Sequence, residues 1–305
     1  MFEQQIKQAF HLKVPLSGIY ALLNDPSIRW GDDGFDPRKA YVCACLSELA
    51  YLHLAENEVP GSDRYKFFPG MAFELLFTRQ IRFDVAEVFA AVADLRITII
   101  EREFFVYAVV ETNHFAIVAV RGTRVNRWRD WAIDFNALKN HARNGFYHRG
   151  FHDEACAAMP LIEKVVEDRR PLYFTGHSLG GAVASVLSQI WSTPPAPLTP
   201  YVFGSARFAT RAAAARQPRY AFVRPLDLVP HLPCRWMGYS DEGARIHLLP
   251  SGAKTGSGAD AVSHIFYHRN FEPHAIESYR KLTGDLTGQT ASERAYVDAL
   301  IAALP

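Results

Sequence analysis

The sequence predicts an α/β fold with a mostly parallel central sheet, helices on both faces and an antiparallel hairpin early in the chain. Three observations carry this prediction. The short runs 172–175, 201–203, 220–223 and 246–249 are largely apolar, as expected of strands covered on both faces. Segments of helical length lie between them, the alternation that builds a parallel sheet. Two longer apolar runs, 104–111 and 115–120, are joined only by Thr112-Asn113-His114, a link that suits a hairpin and is too short for a crossover.

Taken in order, the helix candidates are 36–54, 151–168 with Pro160 as a kink, 179–191, the first turns of a helix over 275–282, and a C-terminal helix over 292–303. The run 192–200 carries four prolines and must be a loop, because proline continues neither a helix nor a central strand. The Gly/Ser-rich run 250–259 reads as a surface loop. Neither run is long enough to link independent domains. The chain is therefore expected to be one domain over 1–305, with 1–35 as an N-terminal extension.

Composition removes several function classes. Of 305 residues, 49% are hydrophobic and 21% charged, an ordinary globular balance that argues against disorder, collagen and coiled coil. The net charge is +1, from 33 Lys+Arg against 32 Asp+Glu, so the broad basic field of a nucleic-acid binder is missing. The four cysteines include no C-x-x-C, which leaves buried free thiols as the reading and no zinc ribbon. No run reaches the roughly 18 apolar residues of a membrane span. The segment Met1-Phe2-Glu3-Gln4-Gln5-Ile6-Lys7 lacks a secretory n- and h-region. A cytoplasmic location is expected on that ground, with secretion after removal of a leader as the alternative.

The strongest chemical signal is Gly176-His177-Ser178-Leu179-Gly180-Gly181. It fits G-x-S-x-G and stands between a strand and a helix, the context that a nucleophile elbow requires. A serine there sits on a strained turn, so its neighbours must be small. Serine at its free pKa needs a base. Where this elbow occurs the acid and then the histidine follow it in the chain. Asp227 is the preferred acid over Asp241, Asp260 and Asp285. It lies just past the strand 220–223, in a loop stiffened by Pro225 and Pro230, at the end of the sheet where such sites assemble. His274 is the preferred base, at a corner fixed by Pro273. His264 and His268 are next in line. His177 is set aside, because the elbow turns adjacent side chains apart. An oxyanion needs donors already in place. The backbone N–H of Leu179 is one. Thr123, just past the strand 115–120, offers a second N–H and a hydroxyl. No metal site of the H-E-x-x-H kind is present, and neither metal nor organic cofactor is expected.

These residues resemble the class 3 lipases, the α/β-hydrolase family that includes the filamentous-fungal lipases. The resemblance is carried, in the family's order, by Val120-Arg121-Gly122-Thr123, Asp130-Trp131-Ala132-Ile133-Asp134, His148-Arg149-Gly150-Phe151, the elbow with Thr175 and Ala182, Val202-Phe203-Gly204-Ser205-Ala206-Arg207, Asp227-Leu228-Val229-Pro230-His231-Leu232-Pro233, and His274 followed by Tyr279. It implies an α/β-hydrolase fold, a triad of Ser178, Asp227 and His274, and oxyanion donors Thr123 and Leu179. The implied activity is hydrolysis of lipid esters such as acylglycerols. Small soluble or feruloyl esters and phospholipids are the alternatives, and a non-catalytic lipase-like scaffold is the remaining one. In secreted relatives the neighbourhood after Thr123 carries an amphipathic lid. Residues 124–147 here mix Trp128, Trp131 and Phe135 with Arg124, Arg127, Arg129, Lys139 and Arg143. Such a segment suits transient contact with an anionic lipid interface and equally a fixed, solvated helix.

Overall fold

The computed structural model describes residues 22–52, 96–122, 139–142, 145–166, 170–215, 219–240, 244–249, 252–255 and 274–287. Thr123, residues 124–138, His264, His268 and the expected helix 292–303 lie outside the described residues.

In chain order the elements are α1 (Pro37–Leu49), β1 (Arg96–Glu101), β2 (Val106–Glu111), β3 (Ala116–Arg121), β4 (Lys139–Ala142), β5 (Gly145–His148), α2 (Arg149–Glu163), β6 (Leu172–His177), α3 (Leu179–Ile190), β7 (Tyr201–Phe203), α4 (Arg211–Ala214), β8 (Tyr220–Val223), β9 (Ala244–Leu249), β10 (Gly252–Thr255) and α5 (Ile276–Thr287). Among the described residues, eight strands form one sheet in the order β1-β2-β3-β6-β7-β8-β9-β10. The run β3-β6-β7-β8-β9 is parallel throughout. The expected hairpin is β2–β3, paired antiparallel from Val106↔Arg121 to Glu111↔Ala116. One more antiparallel strand precedes it, β1.

The two-sided burial read from the sequence has a direct structural basis. Along β3, Ala116, Val118 and Val120 face one apolar layer and Ile117 and Ala119 the other. The first layer lies under α2 and α3, through Phe151, Ala155, Val183 and Leu187. The second lies under α1, through Val42, Cys43 and Leu46, and under Tyr279 and Leu286 of α5. Helices thus cover both faces. Helix α2 runs through Pro160 without ending there.

The structure corrects the 250–259 reading. Gly252–Thr255 is an edge strand, β10, paired antiparallel with β9 from Gly252↔Leu249 to Thr255↔Ile246. Its pairing is made by backbone groups, so a sequence without apolar alternation still enters the sheet. Cysteine burial is also split. Cys43 and Cys45 are buried, whereas Cys156 is exposed, and all four are free thiols. Burial pushes the thiols of Cys43 and Cys45 up to about 12.

Part of the expected N-terminal extension is built into the core. Leu23, Ile28 and Trp30 are buried in the second layer, and Trp30 stacks on Phe115 with ring centroids 4.1 Å apart. The hydroxyls of Tyr173, Tyr201 and Tyr220, from the start of three neighbouring strands, donate to the carbonyls of Trp30, Gly34 and Asp33. This strap crosses the end of the sheet opposite the elbow. Among the described residues, no helix is long and apolar enough to cross a membrane.

Candidate active site

Strand β6 ends at His177 and α3 begins at Leu179, which leaves Ser178 alone at the turn. Its backbone is strained, at φ 60° and ψ −129°, a region that non-glycine residues avoid. The turn is tight enough that a Cβ on Gly180 would meet Val120 O at 2.2 Å. Only glycine lets α3 start this close to β3. The amide of Ser178 donates to Phe203 O at 3.0 Å, which ties the strained residue to β7.

Three of the residues selected from the sequence come together here. Oγ of Ser178 is 2.8 Å from Nε2 of His274, 96 residues away in the chain. Nδ1 of His274 is 3.0 Å from both carboxylate oxygens of Asp227. All three side chains are buried, at 1%, 6% and 2% exposure. Asp227 stands four residues past the end of β8 and is held from two other directions. The amide of Val229 donates to Oδ1 at 3.0 Å, and the hydroxyl of Tyr279 donates to Oδ2. Burial first, then the charge of Asp227, pushes the Tyr279 hydroxyl well above the ordinary tyrosine value. It therefore stays a donor. The Tyr279 oxygen in turn accepts the amide of Arg224 at 3.2 Å.

Leu179 is the first residue of α3, so its amide is among those without a partner inside the helix and lies beside the serine. Thr123 lies outside the described residues; the chain before it leaves β3 through Arg121 and Gly122. The end of the lid candidate is anchored. Residues 139–142 and 145–148 pair antiparallel, His148 N donates to Phe208 O, and Thr210 N donates to Phe146 O. Among the described residues no cluster of His, Cys, Asp and Glu side chains is arranged to hold a metal ion.

Three contributors carry little or no signal of their role in the sequence. Tyr279 is visible there only as a companion of His274 in the family pattern. His177, set aside as a base, lies with its ring 4.5 Å from that of His274. The side chain that links it to α1, Tyr51, carries no motif at all.

A strained serine between a parallel strand and a helix, with an Asp and a His from later loops, defines the α/β-hydrolase class. Residues 117–236 match the family model described as lipase (class 3). Over 111 residues, 34% of the chain, it is 35% identical to the toxin TseL of Vibrio cholerae. That match spans 17% of the toxin's length. Solved structures share the fold at low identity. A lipase from Rhizopus microsporus var. chinensis is 19% identical, with a TM-score of 0.52 over 87% of this chain and 86% of that one. Lipase II from Rhizopus niveus is also 19% identical, with a TM-score of 0.52 over 77% and 91%. A triacylglycerol lipase whose catalytic centre is a serine-protease triad is 20% identical, with a TM-score of 0.51 over 77% and 90%.

Proposed function

We propose that this protein is a serine hydrolase that cleaves carboxylic esters of lipids. The observation that carries the reading is the hydrogen-bonded line Ser178–His274–Asp227, with 2.8 Å and 3.0 Å contacts. Ser178 Oγ attacks the ester carbonyl while His274 Nε2 takes its proton. The carbonyl oxygen becomes an oxyanion, received by the amide of Leu179 and by Thr123. His274 returns the proton to the leaving alcohol as the C–O bond breaks, which leaves an acyl-enzyme. A water then repeats the attack and releases the acid. Asp227 keeps His274 in the tautomer with its proton on Nδ1 and stabilises the imidazolium. Tyr279 and the Val229 amide hold the Asp227 carboxylate in that orientation.

The segment 124–147 is proposed as the cover of the site. It leaves directly from Thr123, and its far end is tied down at Phe146 and His148. Within it, residues 124–138 mix tryptophan and arginine.

The test is a chain-length series of p-nitrophenyl and glycerol esters, assayed below and above the solubility limit of each. Ser178→Ala should reduce turnover by about a million-fold without loss of fold. Preference for long chains, with a jump in rate at the limit, is the expected outcome. Equal rates on Ser178→Ala would overturn the triad, and smooth saturation on short esters alone would make the protein a soluble esterase.

The likeness to a toxin favours a second reading at the level of biological role: the same ester hydrolysis directed at the membrane lipids of another cell. Expression of the chain in a bacterium, in the cytoplasm or exported, decides it. Growth arrest that Ser178→Ala abolishes supports this role, and normal growth in both compartments rules it out.

A further inference from the structure

His177 follows from no part of the hydrolytic scheme above, yet both of its ring nitrogens have partners. It is buried, at 4% exposure. Its Nε2 lies 2.7 Å from the main-chain carbonyl oxygen of His274. A carbonyl oxygen only accepts, so Nε2 carries the proton. In the neutral ring Nδ1 is then an acceptor, and it lies 2.9 Å from the hydroxyl of Tyr51, which must donate. The tautomer is therefore set at both ends. The His274 carbonyl is available for this bond because the amides of Ser278 and Tyr279, in the first turn of α5, both turn to Ala275 O.

We propose that His177 is a positioning residue for the base. Its Nε2–H pins the main chain of His274, its uncharged ring supports the imidazole of His274 from one face, and Tyr51 fixes the tautomer that makes both possible. The inference rests on the reading of Ser178, His274 and Asp227 as a hydrolytic triad. Charge explains why a neutral ring is needed. His274 becomes cationic each time it takes the serine proton. A second cation with its ring centre 4.5 Å away would oppose that step in a buried site, whereas the π face of a neutral ring favours it. Burial, and next the charge on protonated His274, hold His177 well below the ordinary histidine range. The device also connects distant elements. Tyr51 stands in the turn Ala50–Leu52 that ends α1, and α1 packs on α5, the helix that follows His274.

The test uses the full chain, a soluble p-nitrophenyl ester and a fluorophosphonate that labels the active serine. His177→Phe keeps an aromatic ring and loses both bonds. His177→Gln keeps an amide N–H near the Nε2 position. Tyr51→Phe removes one oxygen. His177→Phe should lower kcat and the labelling rate together by about 10- to 100-fold, the scale of a slightly misplaced catalytic group. KM should stay within roughly twofold, as for an interaction made in the transition state. His177→Gln should recover most of the loss, and Tyr51→Phe should cost about five-fold, the worth of one ordinary hydrogen bond. A folded His177→Phe with unchanged kcat and labelling, or a His177→Gln as impaired as His177→Phe, overturns the proposal. If His177→Phe fails to fold, Tyr51→Phe decides by the same split of kcat from KM. The triad reading fails separately, by Ser178→Ala or His274→Ala retaining turnover and labelling.

Discussion

At Gly204, the residue after β7, two constraints meet at one atom. The backbone has φ +52°, and a Cβ built there would lie 2.9 Å from Oδ2 of Asp227, 3.1 Å from the Tyr279 hydroxyl and 3.2 Å from Cε1 of His274. The absence of a side chain is what lets acid, base and tyrosine close around this point. Gly204→Ala is expected to cost roughly 1–2 kcal/mol from the left-handed backbone alone. It should also lower kcat by about 10- to 100-fold, by displacing the Asp227–His274 pair. Thermal unfolding and steady-state kinetics on the same preparation check both parts. A stable variant with unchanged kcat would mean that the acid can shift without penalty. The sequence shows this glycine only as a member of the run Val202-Phe203-Gly204-Ser205. Its reason lies in residues 23 and 70 positions later in the chain, which no local pattern contains.

Among the elements, α1 and α5 are joined by a buried ion pair, Arg280 Nε donating to Oε2 of Glu48. Burial pushes the Glu48 carboxyl up, against the pull of Arg280, while Arg280 is raised because its bond and charge contact with Glu48 outweigh burial. Both shifts are upward, yet the charged form is disfavoured at Glu48 and favoured at Arg280, because the carboxylate loses more by leaving water than the pair returns to it. Such a pair adds little net stability, yet removing one partner strands the other. Glu48→Ala is expected to destabilise by about 3 kcal/mol, and Glu48→Leu combined with Arg280→Met to come close to the parent. A double-mutant cycle by chemical denaturation measures this; additive losses would contradict it. Because α5 carries Tyr279 and follows His274, Glu48→Ala should lower kcat as well as stability. The elements themselves were unequally legible. Strands β3, β6, β7 and β8 announce themselves because apolar residues must fill both layers. Helix α3 does so because the elbow glycines precede it. β1 was missed, since an edge strand needs no unbroken apolar run and this one starts and ends on charged residues, Arg96 and Glu101. β10 was missed because its place depends on backbone pairing with β9. The strap 22–36 has apolar residues at no regular period, and tyrosines from three strands hold it only once the sheet exists.

For the whole molecule, the candidate site was more legible than its support. Ser178, Asp227 and His274 each sit at the end of a recognisable element, so the sequence points to them one by one. The groups that hold them are ordinary residue types brought in from afar: Tyr51, His177 and Tyr279. Two of the histidines in that interior give the protein a predictable response to acid. His148, buried at the end of β5 with its ring centroid 4.4 Å from that of Phe151, is lowered by burial from 6.5 to about 4. His177 is lowered in the same direction, by burial and then by His274. Between 6.5 and about 4 the unfolded chain binds a proton at His148 and the folded chain does not. Stability is therefore complete above pH 6.5 and is lost as pH falls toward 4. The full span for His148 corresponds to about 3 kcal/mol at a little over 1 kcal/mol per pKa unit, and His177 adds to it. Glu48 acts in the opposite sense, because a carboxyl raised from 4.5 by burial takes up its proton first in the folded state. It offsets part of the loss. The melting temperature is thus expected to fall steadily from pH 6.5 toward 4, and His148→Phe, which keeps a ring against Phe151, should flatten that slope. A parent whose melting temperature holds level across the window, or a His148→Phe variant with the parent's slope, would show that His148 is protonated in the folded protein.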